Sequence, residues 1–306
     1  MVFVEVPYSQ GPSFFANLMI YHELGHYVFE KLGDTDDRRP AFTSLVAAMD
    51  RAFGENLSDT IKTPGNRAWA KRVLEAWTTE VFCDLFAVRN LGPAFSFALI
   101  DFLSLINLMG EDIEGKFDEE HPAPALRLRE QQRCLQKSGW WASVEGLPSG
   151  HVSLMKRLAG KAEPEYFFEF QEKVIPAFTG AFLTILPLIH ELAADVTPHS
   201  EGAAADFAQQ AGKIDECLLH GVVPSSLLAE DNASSPTPVS MINAAYCFHL
   251  TNLPKLMDRL DGQRADDLRQ RMKWAEKLEA WTVKGVEDSQ LLAASAKSRT
   301  HDKSTL

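Results

Sequence analysis

Helical spacing of apolar residues dominates the chain after its first dozen residues, and it constrains the fold more than any other feature. Only "VFVEV" at residues 2–6 alternates in the manner of a short strand. Apolar positions recur at intervals of three and four residues in many segments, among them 14–32, 41–53, 66–90, 93–109 and 125–137. The sequence therefore predicts a mainly α protein with a minimal N-terminal β element.

Turn-forming residues suggest where the chain divides. Glycine, proline and serine cluster in "EGLPSG" at 145–150, and helical patterns continue beyond it to about residue 297. We predict an N-terminal domain over 1–140 and a helical domain of unknown role over 150–297. The polar end at 298–306 is predicted to be a disordered tail.

Composition and charge exclude several classes of partner. The formal net charge is -12, which argues against nucleic acid or an anionic membrane surface because both need concentrated basic residues. The four cysteines, at 83, 134, 217 and 247, form no CxxC pair and no disulfide framework. The first residues lack the features of a secretory signal. A cytoplasmic location is the expectation.

Two stretches are apolar enough to raise the question of a membrane. They cover 91–110, which contains Asp101, and 174–189, which contains Pro176 and Pro187. A charge in the first and two prolines in the shorter second favour buried core helices over membrane spans. Membrane association is therefore not expected.

The segment "HELGH" at residues 22–26 carries the first chemical signal. On a helix His22 and His26 lie one turn apart on the same face, so both can offer a ring nitrogen to one metal ion. Glu23 beside them could take a proton from water, as in zinc hydrolases. The alternative is an ordinary amphipathic helix with solvated histidines.

A hydrolytic zinc usually has three protein ligands, so a third one is expected downstream. The candidate is Glu80 in "EVFCD", with Asp84 one turn further on the same face of a helix. Asp84 could accept the free N–H of a ligand histidine and orient its ring. Spaced acids often mark a solvated helix face, but this segment is largely apolar, and acids there need a cation as partner.

The third element is "HPAPALR" at residues 121–127. Prolines at 122 and 124 stiffen this loop, so His121 could be held where it stabilises the oxyanion that forms when water attacks a carbonyl. Arg127, six residues later at the start of a helix, could brace a carboxylate of the site or orient the loop. A simple turn is the alternative.

The order and spacing of "HELGH", "EVFCD" and "HPAPALR" resemble the gluzincin metallopeptidases, within them the group of the HtpX heat-shock peptidases and the CAAX prenyl peptidases. The resemblance covers about residues 14–135. It implies a zincin-like helical catalytic core, one Zn²⁺ ion and a peptide or protein substrate. It also implies the roles of individual residues: His22, His26 and Glu80 as zinc ligands, Glu23 as general base, Asp84 as support for a ligand, and His121 and Arg127 as further members of the site.

These observations predict a zinc-dependent metallopeptidase in which Glu23 is the general base. The alternative is a non-catalytic helical binding or scaffold protein with a structural or vestigial zinc site. The presence of Glu23 favours the enzyme, since a structural site has no use for a base and closes its fourth position with Cys or His. Cys83 lies beside the proposed ligands, but its helical position indicates packing.

Overall fold

A computed structural model describes most of the chain as helix. The described residues are 13–34, 39–54, 64–107, 120–159, 175–197, 202–224, 236–261 and 268–303, and none of them forms a strand. The prediction of a mainly α fold is confirmed. The predicted strand at 2–6 lies outside the described residues and stays a prediction.

Twelve α-helices follow a short 3₁₀ turn at Ala16–Met19 within the described part of the chain. In chain order they are α1 (Ile20–Asp34), α2 (Pro40–Ala52), α3 (Pro64–Leu91), α4 (Pro93–Asn107), α5 (Pro124–Lys137), α6 (Trp141–Val144), α7 (Gly150–Ala159), α8 (Ile175–Val196), α9 (Ala203–Leu219), α10 (Pro238–Thr251), α11 (Leu253–Asp261) and α12 (Leu268–Lys303).

Proline and glycine set several of these boundaries. Helices α2, α3, α4, α5 and α10 each begin with a proline, whose fixed φ suits the first turn and whose missing N–H has no helical partner there. Gly92 separates α3 from α4 with a φ of 64°, and a Cβ at this position would lie 2.9 Å from the ring of Trp140. Glycine is therefore needed here for both its backbone conformation and its size.

Helix α3 lies at the centre of the packing and contacts α1, α4, α5 and α8. The ring of Trp77 on α3 packs edge-on against Phe178 and Phe182 of α8, with centroid distances of 5.2 and 5.7 Å. The cluster of buried hydrophobic residues extends from Phe15 to Leu278. The division at 140–150 stays a prediction, but the packing of α8 against α2 and α3 crosses it.

Helices α4 and α8 cover most of the described part of the two apolar stretches, and both contribute to this core. Phe95 and Phe97 of α4 and Ile185 and Ile189 of α8 are completely buried. Asp101, the charge in α4, accepts a hydrogen bond from the hydroxyl of Tyr246 at 2.6 Å. None of the helices in the described ranges combines the length and apolar character required to cross a membrane.

Helix α12 continues to Lys303, which is six residues into the segment predicted as a tail. Residues 290–303 contain neither glycine nor proline and include several alanine, leucine and lysine residues, which favour helix. Helix α12 thus extends beyond residue 297, and the predicted division of the chain into domains and tail stays a prediction. Residues 304–306 lie outside the described part of the chain.

Candidate metal centre

Helices α1 and α3 pack against each other. Their contact brings the two histidines of α1 next to the two acidic residues of α3. His22 and His26 project from α1, and Glu80 projects from α3. Nε2 of His22 lies 3.3 Å from Glu80 Oε2 and 3.3 Å from Nε2 of His26, and Nε2 of His26 lies 3.1 Å from Glu80 Oε1. Each histidine nitrogen thus lies beside a different oxygen of Glu80, and one potential ligand atom from each of the three residues lies within 4.8 Å of the other two.

These distances fit a tetrahedral zinc ion. Zinc–nitrogen and zinc–oxygen bonds of about 2.0–2.1 Å place neighbouring ligand atoms about 3.3–3.4 Å apart on the edge of a tetrahedron. The two histidine nitrogens are 3.3 Å apart, and each lies 3.1–3.3 Å from an oxygen of Glu80, Oε2 for His22 and Oε1 for His26. Glu80 Oε2 is buried, and its contacts with N–H groups are long, 3.3 Å to Nε2 of His22 and 3.5 Å to Nη2 of Arg127. A cation at this point would add compensation for the buried carboxylate.

Asp84 determines which nitrogen of His22 faces this point. Its Oδ1 lies 2.9 Å from Nδ1 of His22, and both side chains are buried. An ionised carboxylate can only accept, so Nδ1 carries the proton and donates it to Asp84. In the neutral imidazole the Nε2 lone pair is then directed at Glu80 and His26, which is the arrangement that a ligand histidine needs.

Arg127 holds Asp84 through a pair of hydrogen bonds. Its Nε donates to Oδ2 at 2.8 Å and its Nη2 donates to Oδ1 at 2.7 Å. Nη2 also lies 3.5 Å from Glu80 Oε2. All three side chains are buried, and the bidentate geometry fixes the plane of the carboxylate. Arg127 thus contacts the carboxylates of the site, which agrees with the first of the two roles considered for it.

The charges of this cluster influence one another strongly. Burial alone would raise the pKa of Asp84 and of Glu80, but Arg127 and the hydrogen bonds from the histidines and the guanidinium hold both well below their ordinary values. Burial opposes the charged form of His22, yet its hydrogen bonds to Asp84 and Glu80 raise its pKa to about 9. Two ionised carboxylates face one guanidinium, so the surroundings favour a further positive charge at His22.

Gly25 is the residue of this site that sequence reasoning missed. It lies between the two histidines in the motif and is buried against α3. A Cβ on Gly25 would lie 2.8 Å from Cα and 3.0 Å from Cβ of Cys83. Cys83 itself is completely buried, in agreement with the packing role assigned to it. Glycine therefore permits the close approach of α1 and α3 that brings the ligand atoms together.

Replacing Gly25 with alanine is expected to lower zinc affinity at least about tenfold, because the added methyl group pushes α1 away from the α3 backbone. Gly33→Ala is the matched control on the same helix, since its Cβ would meet only the ring of Phe42 at 3.8 Å. The measurements are zinc competition with a chromogenic chelator and thermal unfolding. Equal zinc affinities in the two variants would contradict this role of Gly25.

The side chains of Glu23 and His121 are both exposed. Glu23 follows His22 directly on α1, about 60° around the helix from His26, and its side chain is exposed. His121 is exposed three residues before α5 begins. Within the described residues, the group that could hold a metal ion consists of His22, His26 and Glu80 and does not include His121. The roles of Glu23 and His121 stay predictions.

Comparisons of the chain with protein-family models, with curated proteins and with solved structures found no match. The resemblance to gluzincins therefore rests on the three motifs and their spacing.

Proposed function

We propose that this protein is a zinc-dependent metallopeptidase whose ligands are His22, His26 and Glu80. The observation that carries the proposal is that the two histidine nitrogens lie 3.3 Å apart and each lies 3.1–3.3 Å from an oxygen of Glu80, distances close to the edge of a zinc tetrahedron. Three protein ligands leave a fourth position for water or substrate, as catalytic zinc sites do. Glu23, exposed and next in sequence to a ligand, supplies the base.

A zinc ion held by this set supplies a Lewis acid that lowers the pKa of water and polarises a substrate carbonyl. Glu23 takes a proton from the attacking water, whose oxygen forms a bond to the carbonyl carbon. The C–N bond then breaks, and Glu23 delivers the proton to the leaving amine. The products are a carboxylate and an amine, so the reaction is hydrolysis of a peptide bond.

Other residues hold this arrangement in place. Asp84 keeps the Nδ1 proton on His22 and thereby orients its ring, and Arg127 keeps Asp84 ionised and in plane. His121, exposed at the entrance to α5, is proposed to donate a hydrogen bond to the oxyanion as the tetrahedral species forms.

The rival function is a non-catalytic scaffold whose zinc site is structural or vestigial. One observation favours it: the described residues contain no strand on which an extended substrate could form backbone hydrogen bonds. A structural site, however, needs a fourth ligand. Cys83 is completely buried and does not belong to the group of described residues that could hold a metal ion.

The test is metal analysis combined with incubation with a peptide library. We expect one zinc per chain and cleavage that a chelator abolishes and added zinc restores. His26→Ala should lose both, whereas His220→Ala, an exposed histidine at the end of α9, should retain both. Absence of zinc from the wild-type protein would refute the proposal. Bound zinc without any cleavage would favour the scaffold.

A further inference from the structure

A cavity of about 290 Å³ lies between helices α1, α2 and α3. Its apolar lining consists of Phe29, Phe42, Val46, Met49, Phe53 and Leu74. This volume is at the lower limit of pockets that hold small molecules, about 300 Å³. The cavity is therefore suited to a single side chain and not to a large ligand.

The cavity continues the face of α1 that carries the candidate ligands. Phe29 is seven residues after His22 and three after His26, so these positions form one row along the helix. The ring of Phe29 packs against Phe42 at 5.6 Å and against Phe82 of α3 at 5.1 Å. Thr79, which also lines the cavity, directly precedes Glu80. On both helices the lining of the cavity thus includes a residue close in sequence to a candidate ligand, Phe29 one turn after His26 and Thr79 directly before Glu80.

The charges around the cavity favour an uncharged occupant. Lys71 and Glu75 line it one turn apart on α3, and their side-chain charges are 3.7 Å from each other. Because these two compensate each other, the carboxylate of Asp50 leaves the lining slightly negative. An acidic side chain would be repelled, and a basic one would lose hydration against the three phenylalanines.

We propose that this cavity is a subsite that receives an aromatic or large aliphatic side chain of the substrate. The inference rests on the proposed zinc-dependent hydrolysis and adds which substrate side chain the site prefers. The phenylalanine rings and Met49 provide apolar contacts for such a side chain, and the neighbouring row of histidines places the substrate backbone over the metal centre. Substrates with acidic residues at the corresponding position are poor ones.

The test uses hydroxamates, which chelate zinc, on the zinc-loaded full chain. A series of alkyl hydroxamates of increasing length carries either a phenyl group or a carboxylate at its far end, and acetohydroxamate reports binding to the metal alone. At the length that reaches the cavity, the phenyl compound should bind at least about tenfold more tightly than acetohydroxamate. The carboxylate compound of the same length should gain nothing.

Val46→Trp should remove the advantage of the phenyl group and leave acetohydroxamate binding unchanged, because the larger side chain fills the cavity. Val222→Trp is the control, since Val222 is also partly exposed but is far along the chain, after α9. Acetohydroxamate binding with no gain from the phenyl group at any length would overturn the subsite alone. If no hydroxamate binds and no zinc is retained, the proposed function fails together with the subsite.

Discussion

Replacing Glu23 with glutamine is expected to lower peptide hydrolysis by about 10²–10⁴-fold and to leave one zinc ion bound. Glutamine has nearly the same size as glutamate but cannot accept the proton of the attacking water. Because the side chain is exposed and belongs to none of the ligand contacts, the fold and the metal affinity should not change. The measurements are zinc content, thermal unfolding and the rate of cleavage of one peptide substrate.

Glu30→Gln provides the matched control for this experiment. Glu30 is exposed on the same helix, seven residues further on and on the same side as Glu23. It should retain full activity, which would show that loss of one surface charge on α1 is not the cause. If Glu23→Gln hydrolysed peptides at the wild-type rate, Glu23 would not be the base, and the proposed mechanism would be wrong.

Replacing Arg127 with methionine is expected to destabilise the fold by about 3–5 kcal/mol. Asp84 is almost completely buried and receives two hydrogen bonds from Arg127, so the variant leaves its carboxylate in the interior with the hydrogen bond from His22 but without the guanidinium. Zinc affinity should also fall by about 10–100-fold, since Asp84 no longer orients His22 reliably. Urea unfolding with and without zinc, and competition with a chelator, measure the two effects.

Two further variants distinguish loss of the Asp84–Arg127 ion pair from a general loss of positive charge on α5. Arg133→Met removes a partly exposed arginine of the same helix and should cost far less stability. The double variant Asp84→Leu with Arg127→Met should recover much of the lost stability, because no buried charge remains, but not the zinc affinity. A loss below about 1 kcal/mol in Arg127→Met alone would contradict the importance of the pair.

The helices were accessible from sequence because periodicity and proline are local signals. The pattern over 66–90 corresponds to α3, and the one over 125–137 corresponds to α5. The first segment, 14–32, differs from its predicted helix. A 3₁₀ turn precedes α1, and α1 begins only at Ile20. Such a difference arises because the hydrogen-bond pattern of the first turn depends on packing against α4, which lies far along the chain.

The candidate site was predictable as far as it depends on spacing along a helix. His22 with His26, and Glu80 with Asp84, are four residues apart, and this spacing alone places each pair on one face. Gly25 was not predictable in the same way. Its importance comes from contact with the backbone of Cys83 on another helix, and a single glycine inside a motif gives no indication of what it will meet.

By itself the sequence determined a mainly helical chain, the residues that could bind a metal ion, and the order of the three motifs, because these depend on composition and on intervals of a few residues. Only the tertiary structure decided that the two pairs meet at ligand distance and that Arg127 binds Asp84 through both of its oxygens. It also decided that an apolar cavity lies between α1, α2 and α3. These features join residues from separate helices, and their distances are set by how α1, α2, α3 and α5 pack, not by any local pattern.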